Sequence, residues 1–312
     1  MKRAFLYILF FVSFCSTSFS QTAGAFSRMG FGARGMGMGN ALTAVGSGEV
    51  SAYYNPALAA FADQRYVDAT VGLLSLDRYL NFLSYTQSIQ PQGGISVGII
   101  NAGTRNIDGR DNDGYHTENY STTENQFFLA FANRVADAVS IGVGVKVYYS
   151  KLFDKVSTTT VGFDAGGYFQ ITQDLSLGVA IKDLGSKYKW DTSPIYGTDG
   201  RQTTDQFPSL RRIGLAYELF SKKMILSAEY ENSSAGVSLF RFGGEYSIVQ
   251  SFSIRTGLDR WDTGDNAAGA KPSFGFTVKN AFDQWTPILN YAFVIEPFSP
   301  HGMHIISLTV SF

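Results

Sequence analysis

The chain is poor in charge and in cysteine. Asp, Glu, Lys and Arg make up 16% of its 312 residues, against about 25% in a typical globular protein. The 25 basic residues are balanced by 26 acidic ones, and 45% of the chain is apolar. This composition excludes a basic nucleic-acid-binding protein and an acidic disordered chain. The single cysteine, Cys15, excludes a disulfide framework.

The amino terminus has the three regions of an export signal. Two basic residues precede an apolar run from Ala4 to Phe14, and small or polar residues follow as far as Ser20. The run is too short to span a bilayer, so it predicts a cleaved signal peptide at residues 1–20. Phe14 stands where a lipobox has Gly or Ala, which argues against lipidation of Cys15. No later window holds 18 consecutive apolar residues, which excludes a helical membrane protein and leaves a soluble β protein or a β-barrel.

Apolar residues alternate with small or polar ones from about residue 65 to the last residue. In residues 139–147 every odd position is apolar, and the even positions hold Ser, Gly, Gly and Lys. A period of two predicts strands with two unlike faces. The pattern predicts fourteen strands at residues 65–75, 79–90, 94–104, 125–135, 138–150, 158–171, 175–183, 209–219, 224–232, 237–247, 251–260, 272–280, 285–296 and 303–312.

The connections between these segments separate a barrel from a soluble sandwich. Those after even-numbered segments are tight turns, whereas most of those after odd-numbered segments are longer, at residues 105–124, 151–157, 184–208, 261–271 and 297–302. Short periplasmic turns and longer outer loops are typical of outer-membrane barrels. The sequence therefore predicts an all-β fold, with a transmembrane antiparallel up-and-down barrel of about 14 strands over residues 65–312.

The two faces of the predicted strands differ in charge. One face has no charge, as contact with outer-membrane lipid requires, and carries Val139, Ile141, Leu215, Tyr217, Phe240, Phe242, Phe274, Phe276, Tyr291 and Phe293. The other face carries Lys146, Asp164, Lys182, Arg212, Glu218, Glu229, Arg241, Glu245, Arg255, Asp259 and Lys279. Six bases and five acids favour an ion-pair network across the lumen over a substrate site, because pairing is the usual way to satisfy buried charges.

Residues 21–64 precede the strands and have a different character. Five glycines lie within residues 30–39, and a rigid Asn55-Pro56 turn follows. Gly30, Gly32 and Gly35 match a dinucleotide-binding fingerprint, but no strand precedes them and no βαβ unit follows. A fourteen-stranded barrel is too wide for its own side chains to fill. We therefore expect residues 21–64 to form an amino-terminal hatch that plugs the lumen.

The hatch sequence resembles the amino-terminal signature of the PorV/PorQ group of outer-membrane proteins, which is related to the FadL transporters of hydrophobic compounds. The residues that carry the resemblance are Gly32, Arg34, Gly35, Gly37, Gly39, Asn55, Pro56 and Ala57, within residues 25–60. The resemblance implies a fourteen-stranded barrel with a periplasmic hatch. The terminal alternation ending in Phe312 is similar to the insertion signal read by the barrel-assembly machinery.

Catalytic and metal-binding patterns are weak. The three histidines fall in or beside predicted outer loops without metal-ligand spacing. The acidic residues between 108 and 113 lack the spacing and the closing Glu of an EF-hand. We predict no enzymatic activity, no catalytic residues, no metal and no cofactor.

Two functions follow from the resemblance. The main expectation is an accessory or partner-binding component of type IX-like protein secretion, whose partners would be secreted proteins or secretion components. The alternative is a FadL-like passive channel for a hydrophobic small molecule. An apolar pocket beneath the hatch and a kink in the third strand, where Gly93, Gly94, Gly98 and Gly103 permit one, would favour the channel.

Overall fold

The computed structural model describes residues 23–49, 52–262 and 269–312. The predicted signal peptide lies outside the described residues, as do residues 263–268 of the loop predicted at 261–271. Among the helices of the described ranges, none has the length and hydropathy of a membrane span.

Fourteen strands form one closed antiparallel barrel, which confirms the predicted fold class. The first strand pairs with the last, so that Tyr66 lies opposite Ser311 and Leu73 opposite His304. The strands of the wall are β1 (Tyr66–Leu73), β2 (Arg78–Ile89), β3 (Gly93–Arg110), β4 (His116–Ala136), β5 (Val139–Phe153), β6 (Val156–Gln170), β7 (Leu175–Leu184), β10 (Leu210–Leu219), β11 (Met224–Ser233), β12 (Ser238–Val249), β13 (Phe252–Asp262), β14 (Lys271–Lys279), β15 (Thr286–Val294) and β16 (Met303–Ser311).

Side chains alternate between the outside and the lumen along each strand. In β5, Ile141 and Val143 are 54% and 60% exposed, whereas Ser140 and Tyr148 are fully buried. All ten residues predicted for the lipid-facing side are exposed or half-buried. This alternation gives the barrel an apolar outer surface and a separate interior core.

Ordered structure extends beyond the predicted strands on the long-loop side. The predicted loop at 105–124 is mostly a continuation of the β3–β4 hairpin, where Ile107 pairs with Tyr120. The predicted loop at 184–208 holds the hairpin of β8 (Lys187–Asp191) and β9 (Gln202–Gln206), with the one-turn helix α2 (Ser193–Tyr196) and a 3₁₀ turn (Gly197–Asp199) between them. These predictions as loops were wrong. The extension of the β3–β4 hairpin has no apolar face to mark it in the sequence, and β8 has only two alternating apolar residues, Tyr188 and Trp190, in a strand of five.

The hatch lies inside the barrel. It contains a 3₁₀ turn (Ala25–Arg28), the short helix α1 (Gly32–Gly37) and a 3₁₀ helix (Pro56–Phe61). The main hydrophobic cluster joins hatch residues such as Phe31 and Met36 to wall residues such as Phe82, Ile100 and Phe128. The core of the molecule is therefore the filled lumen.

Candidate site between the hatch and the barrel wall

Glycines on the inner wall receive the hatch backbone. A Cβ atom on Gly94 would lie 1.9 Å from the carbonyl oxygen of Ala59, and one on Gly178 would lie 2.0 Å from that of Thr43. The wall glycines that meet hatch atoms in this way are Gly94, Gly142, Gly166, Gly178, Gly243 and Gly257. The hatch is thus packed directly against the wall on several sides, where no side chain has room.

Asn55 ties two parts of the hatch to the wall. Its Nδ2 atom donates to the carbonyl oxygens of Thr43 at 2.9 Å and Gly167 at 3.0 Å, while its Oδ1 atom accepts from the N–H of Ala57. Asn55 also caps the 3₁₀ helix that begins at Pro56, where a proline is well placed because its position needs no N–H donor. The Asn-Pro-Ala sequence therefore fixes the base of the plug.

The glycines of the hatch motif have two different roles. Gly32 has a φ of +68° with open space around it, so it serves backbone conformation. Gly35, Gly37 and Gly39 allow close packing, because a Cβ atom would lie 2.1 Å from the Tyr54 hydroxyl, 2.8 Å from a side-chain carbon of a wall arginine and 2.6 Å from wall backbone, respectively. Gly39 also has a left-handed φ of +60°.

Five lumen charges form one buried group, which we call the Arg241 cluster. Four of them were predicted, and the fifth is Glu231. Arg241 lies 2.6 Å from Asp259 through Nε, and 3.1 and 3.2 Å from Glu229 and Glu231 through Nη1. Arg212 pairs with Glu231 at 2.6 Å and with Glu229 at 3.6 Å. All five side chains are nearly inaccessible to solvent, which gives each charge an ionic partner.

A second buried group surrounds Lys146. Its Nζ atom lies 2.8 Å from both Asp164 and Asp183. Lys182, which was predicted to join the network, instead donates to the carbonyl oxygen of Tyr53 at 2.7 Å and lies 4.0 Å from the centre of that ring. The hatch therefore supplies the partner of one wall cation.

The third group, the Arg34 cluster, joins the hatch to the short-turn side of the wall. Arg34 donates to both carboxylate oxygens of Glu245 at 3.0 and 3.1 Å, and Arg255 pairs with Glu245 at 2.9 Å. Asn290 accepts from Arg255 and donates to Glu49 at 2.9 Å. Burial raises the pKa of Glu49 above its usual range, and the nearby guanidinium groups only partly offset this effect.

The remaining predicted residues lie at the rim. Glu218 pairs with exposed Lys222 at 3.5 Å, and Lys279 is exposed beside the short turns. Phe312 is half exposed, and its backbone exchanges two hydrogen bonds with Arg65.

Sequence reasoning missed Glu231, Asp183, Glu49 and Asn290 of these groups, and also Asn40, which contacts the Arg241 cluster. Glu231 has the same strand parity as Glu229, so periodicity provided a signal for it. Periodicity gave no signal for Asp183, because its φ of +61° turns it into the lumen directly after Lys182. Asn40 of the hatch donates to Asp259 at 2.9 Å, a contact that no local pattern indicates.

The histidines lie in separate places. His116 contacts the Asp108 carboxylate at 2.6 Å on the long-loop side, and His304 contacts the Tyr291 hydroxyl at 2.8 Å. Within the ranges that the structure describes, no three His, Cys, Asp or Glu side chains are grouped as metal ligands.

Aromatic rings close the lumen on the long-loop side. Phe207 lies 4.8 Å from both Tyr148 and Tyr188, measured between ring centres, and Tyr188 lies 5.2 Å from Trp190. Phe26 of the hatch meets Tyr148 edge-on at 6.4 Å. The β8–β9 hairpin thus brings its rings down onto the start of the hatch.

Three of the cavities in the described part of the chain lie in the short-turn half of the barrel. A polar vestibule of about 760 Å³ opens between the short turns and reaches Arg34, Glu49 and Tyr66. The same three residues line an inner cavity of about 40 Å³, which extends to Ser84 on β2. Ser84 also lies at the floor of an apolar hollow of about 420 Å³ on the outer wall.

The hollow lies over the strands β1 to β4. Its outward-facing walls are Val67, Leu83, Tyr85, Val97, Ile99 and Phe127. Gly98 pairs directly with Ser84 on one side and with Phe128 on the other, and a Cβ atom at Gly98 would lie 2.5 Å from the Phe128 ring. Because Ser84 lines both spaces, the wall between the hollow and the inner cavity is only one residue thick there.

The described residues show neither feature that was expected to favour a channel. β3 pairs residue for residue with β2 and β4 from Gly93 to Thr104, without a register shift at the four glycines. The space beneath the hatch is the polar vestibule and not an apolar pocket. Gly94 instead receives the hatch, as described above. The wall is closed in this state.

The fold and site define a closed, fourteen-stranded antiparallel barrel plugged by an amino-terminal hatch. Solved structures with this fold include the toluene transporter TodX of Pseudomonas putida, with a TM-score of 0.61 and 14% identity over 90% of this chain and 97% of TodX. The CymD monoaromatic hydrocarbon channel has a TM-score of 0.65 and 12% identity over 91% and 97% of the two chains. A FadL homologue of Pseudomonas aeruginosa has a TM-score of 0.61 and 12% identity over 90% and 98%.

At these identities the likeness shows the fold alone. No protein-family model and no curated protein matches the sequence. The structural neighbours agree with the FadL-related part of the predicted resemblance. They give no support to the PorV/PorQ assignment or to a role in type IX secretion.

Proposed function

We propose that this chain is an outer-membrane barrel that passes a hydrophobic small molecule through its wall at β1 to β4, while the hatch keeps the lumen closed. The observation that carries this proposal is the contact of Ser84 with both the apolar outer hollow and the inner cavity. Pocket sites for small molecules are mostly apolar with a few placed polar groups. The hollow and the polar cavity behind it have this combination.

The outer-membrane location is supported by the sequence and the outer surface. The predicted signal peptide implies export, and the exposed apolar side chains around the barrel match the lipid-facing band of an outer-membrane protein. Outer-membrane lipid and the barrel-assembly machinery are then the expected partners. No catalytic role is assigned to the chain.

The structural neighbours support a hydrophobic cargo. Two of those with the same fold are named as a toluene transporter and as a monoaromatic hydrocarbon channel. A passage through the wall suits such cargo here, because the long-loop end of the lumen is filled by packed aromatic rings. The secretion role rests on the sequence resemblance only.

A disulfide across the wall tests the route. Thr86 and Ser96 are directly opposite each other on β2 and β3, beside the Ser84–Gly98 pair, and their hydroxyl oxygens are 2.7 Å apart. The Cα separation of antiparallel pairs of about 4.5 to 5.5 Å suits a disulfide. The only cysteine of the sequence lies in the predicted signal peptide. The double variant Thr86→Cys/Ser96→Cys should lose protein-dependent uptake of labelled toluene when oxidised and regain it on reduction.

The matched control is Ser176→Cys/Ala216→Cys, a directly opposed and inward-facing pair on β7 and β10, away from the hollow. Its uptake should not respond to oxidation. Full toluene uptake by the Thr86→Cys/Ser96→Cys variant, with the bond shown by mass spectrometry to be closed, would contradict a passage through this part of the wall.

A further inference from the structure

We propose that the molecule passed carries one hydrogen-bond-donating head group, an amine or an alcohol, on its apolar body, and that Asp68 accepts a hydrogen bond from this head. The inference rests on the proposed function and narrows its substrate class. Four observations on the inner cavity support it.

The first observation is the position of Asp68. It lies in β1 directly between Ser84 of β2 and Thr309 of β16, and its side chain faces the inner cavity. A molecule that enters from the hollow past Ser84 therefore meets Asp68 next.

The second observation is that Asp68 has acceptor capacity to spare. Thr70 donates to its Oδ1 atom at 2.8 Å, and Thr309 donates to its Oδ2 atom at 2.6 Å. An ionised carboxylate has about four acceptor sites, so two hydroxyl donors leave capacity for a ligand. In the described part of the chain Asp68 has no ion pair within 4.0 Å.

The third observation concerns the other charges of the cavity. Among the described residues that line the cavity, Arg34 is the only base and Glu49 is a second acid. Arg34 already donates four hydrogen bonds, to Glu245 and to the carbonyl oxygens of Ser47 and Glu49. Four of its five N–H donors are therefore in use, and the single donor that remains cannot hold a ligand carboxylate through two bonds. The cavity therefore attracts a donor and repels an acid.

The fourth observation is size. The inner cavity of about 40 Å³ has room for a head group or a few waters, but not for an aromatic ring or a long chain. The hollow of about 420 Å³ is apolar and can take the body. A ligand with an apolar body outside Ser84 and a donor head inside it fits both spaces at once.

The experiment compares four probes of one shape: toluene, benzyl alcohol, benzylamine and benzoate. Labelled uptake is measured in cells with the full chain, and uptake by cells lacking it is subtracted. The unaltered protein should take up the amine and the alcohol faster than toluene, and benzoate slowest. Loss of one hydrogen bond to a buried acceptor predicts roughly a 5- to 150-fold preference over toluene.

Asp68→Asn should remove this order. Uptake of the amine should fall towards that of toluene, and that of benzoate should rise, because the negative charge is gone. Asp137→Asn, on the exposed turn between β4 and β5, is the control and should keep the original order. A shift in gel mobility on boiling shows that each barrel is folded, and the order in the unaltered protein tests the inference without any variant.

The outcomes separate the inference from the proposed function. Equal uptake of all four probes, or a preference for benzoate or toluene, would overturn the role of Asp68. If the oxidised Thr86→Cys/Ser96→Cys pair blocks that uptake, the wall passage remains supported. Protein-dependent uptake of none of the probes would overturn both.

Discussion

Replacing Arg241 with Met should strongly destabilise the barrel. The change removes the shared cation of Asp259, Glu229 and Glu231 from the buried Arg241 cluster. Breaking one buried pair costs about 3 to 5 kcal/mol. We expect a loss within this range and not a multiple of it, because each acid keeps another partner: Glu231 keeps Arg212, Asp259 keeps Asn40, and Glu229 keeps the N–H of Thr43.

The assay is the temperature at which the unboiled barrel changes its mobility on a denaturing gel. With a shift of about 2 to 4 °C per kcal/mol for a chain of this order of size, Arg241→Met should lower the midpoint by roughly 6 to 20 °C. Arg110→Met is the control. Its pair with Asp108 is exposed, so the expected loss is at most about 1 kcal/mol.

A double variant tests whether the charges act together. Arg241→Met/Asp259→Asn should lose less stability than the sum of the two single variants, by about 0.5 to 3 kcal/mol, since the first change already deprives Asp259 of its cation. Strict additivity, or an Arg241→Met midpoint within a degree or two of the unaltered protein, would refute the reasoning.

Three further changes act on the hatch. Asn55→Ala removes three hydrogen bonds at the base of the plug and should give flickering single-channel currents in planar bilayers, whereas stable closure would contradict its role. Gly94→Val places a side chain into the Ala59 backbone and should also open the barrel to ions, while Gly244→Ala, whose Cβ atom has only an ordinary 3.6 Å contact, should not. Burial in the seated hatch raises the pKa of Glu49 above its ordinary value of 4.5. The seated hatch therefore binds the protonated Glu49 side chain better than the ionised one, and it loses stability as the pH rises. Channel openings should therefore be rarer at about pH 5 than at about pH 8. The Glu49→Gln variant should open as rarely at both pH values as the unaltered protein does at about pH 5. An unchanged pH dependence in Glu49→Gln would assign the effect to another group.

The wall of the barrel was largely predictable from the sequence, because lipid outside and a packed core inside impose a period of two on every strand. Residues 139–147 have this pattern, and the observed β5 spans Val139–Phe153. The same reason explains the errors. Beyond the lipid-facing band both faces of the extended β3–β4 hairpin meet water, so no apolar face revealed it. β8 does bury the alternating rings of Tyr188 and Trp190, but its five residues are too short a run to mark a strand.

The sequence predicted which charged residues face the interior, but not which of them form pairs. Alternation placed Arg241 and Glu229 on the inner face, and the structure brings them together at 3.1 Å. It could not indicate that Lys182 contacts the Tyr53 carbonyl, because that contact depends on the path of the hatch. The glycines of β3 show the same limit, since a glycine that permits a kink and a glycine that receives another backbone look alike in sequence.

The most direct test of the account measures ion current and apolar flux on the same purified, intact protein. In planar bilayers it should be nearly non-conducting, and in liposomes it should still speed the entry of a donor-bearing apolar probe such as benzyl alcohol, because the hatch closes the lumen and the passage runs through the wall. Deletion of residues 24–60 should give large, stable openings and serves as the reference for an unplugged barrel. An intact protein that conducts like the deletion, or one that is closed to ions and also fails to speed entry of the probe, would contradict the account.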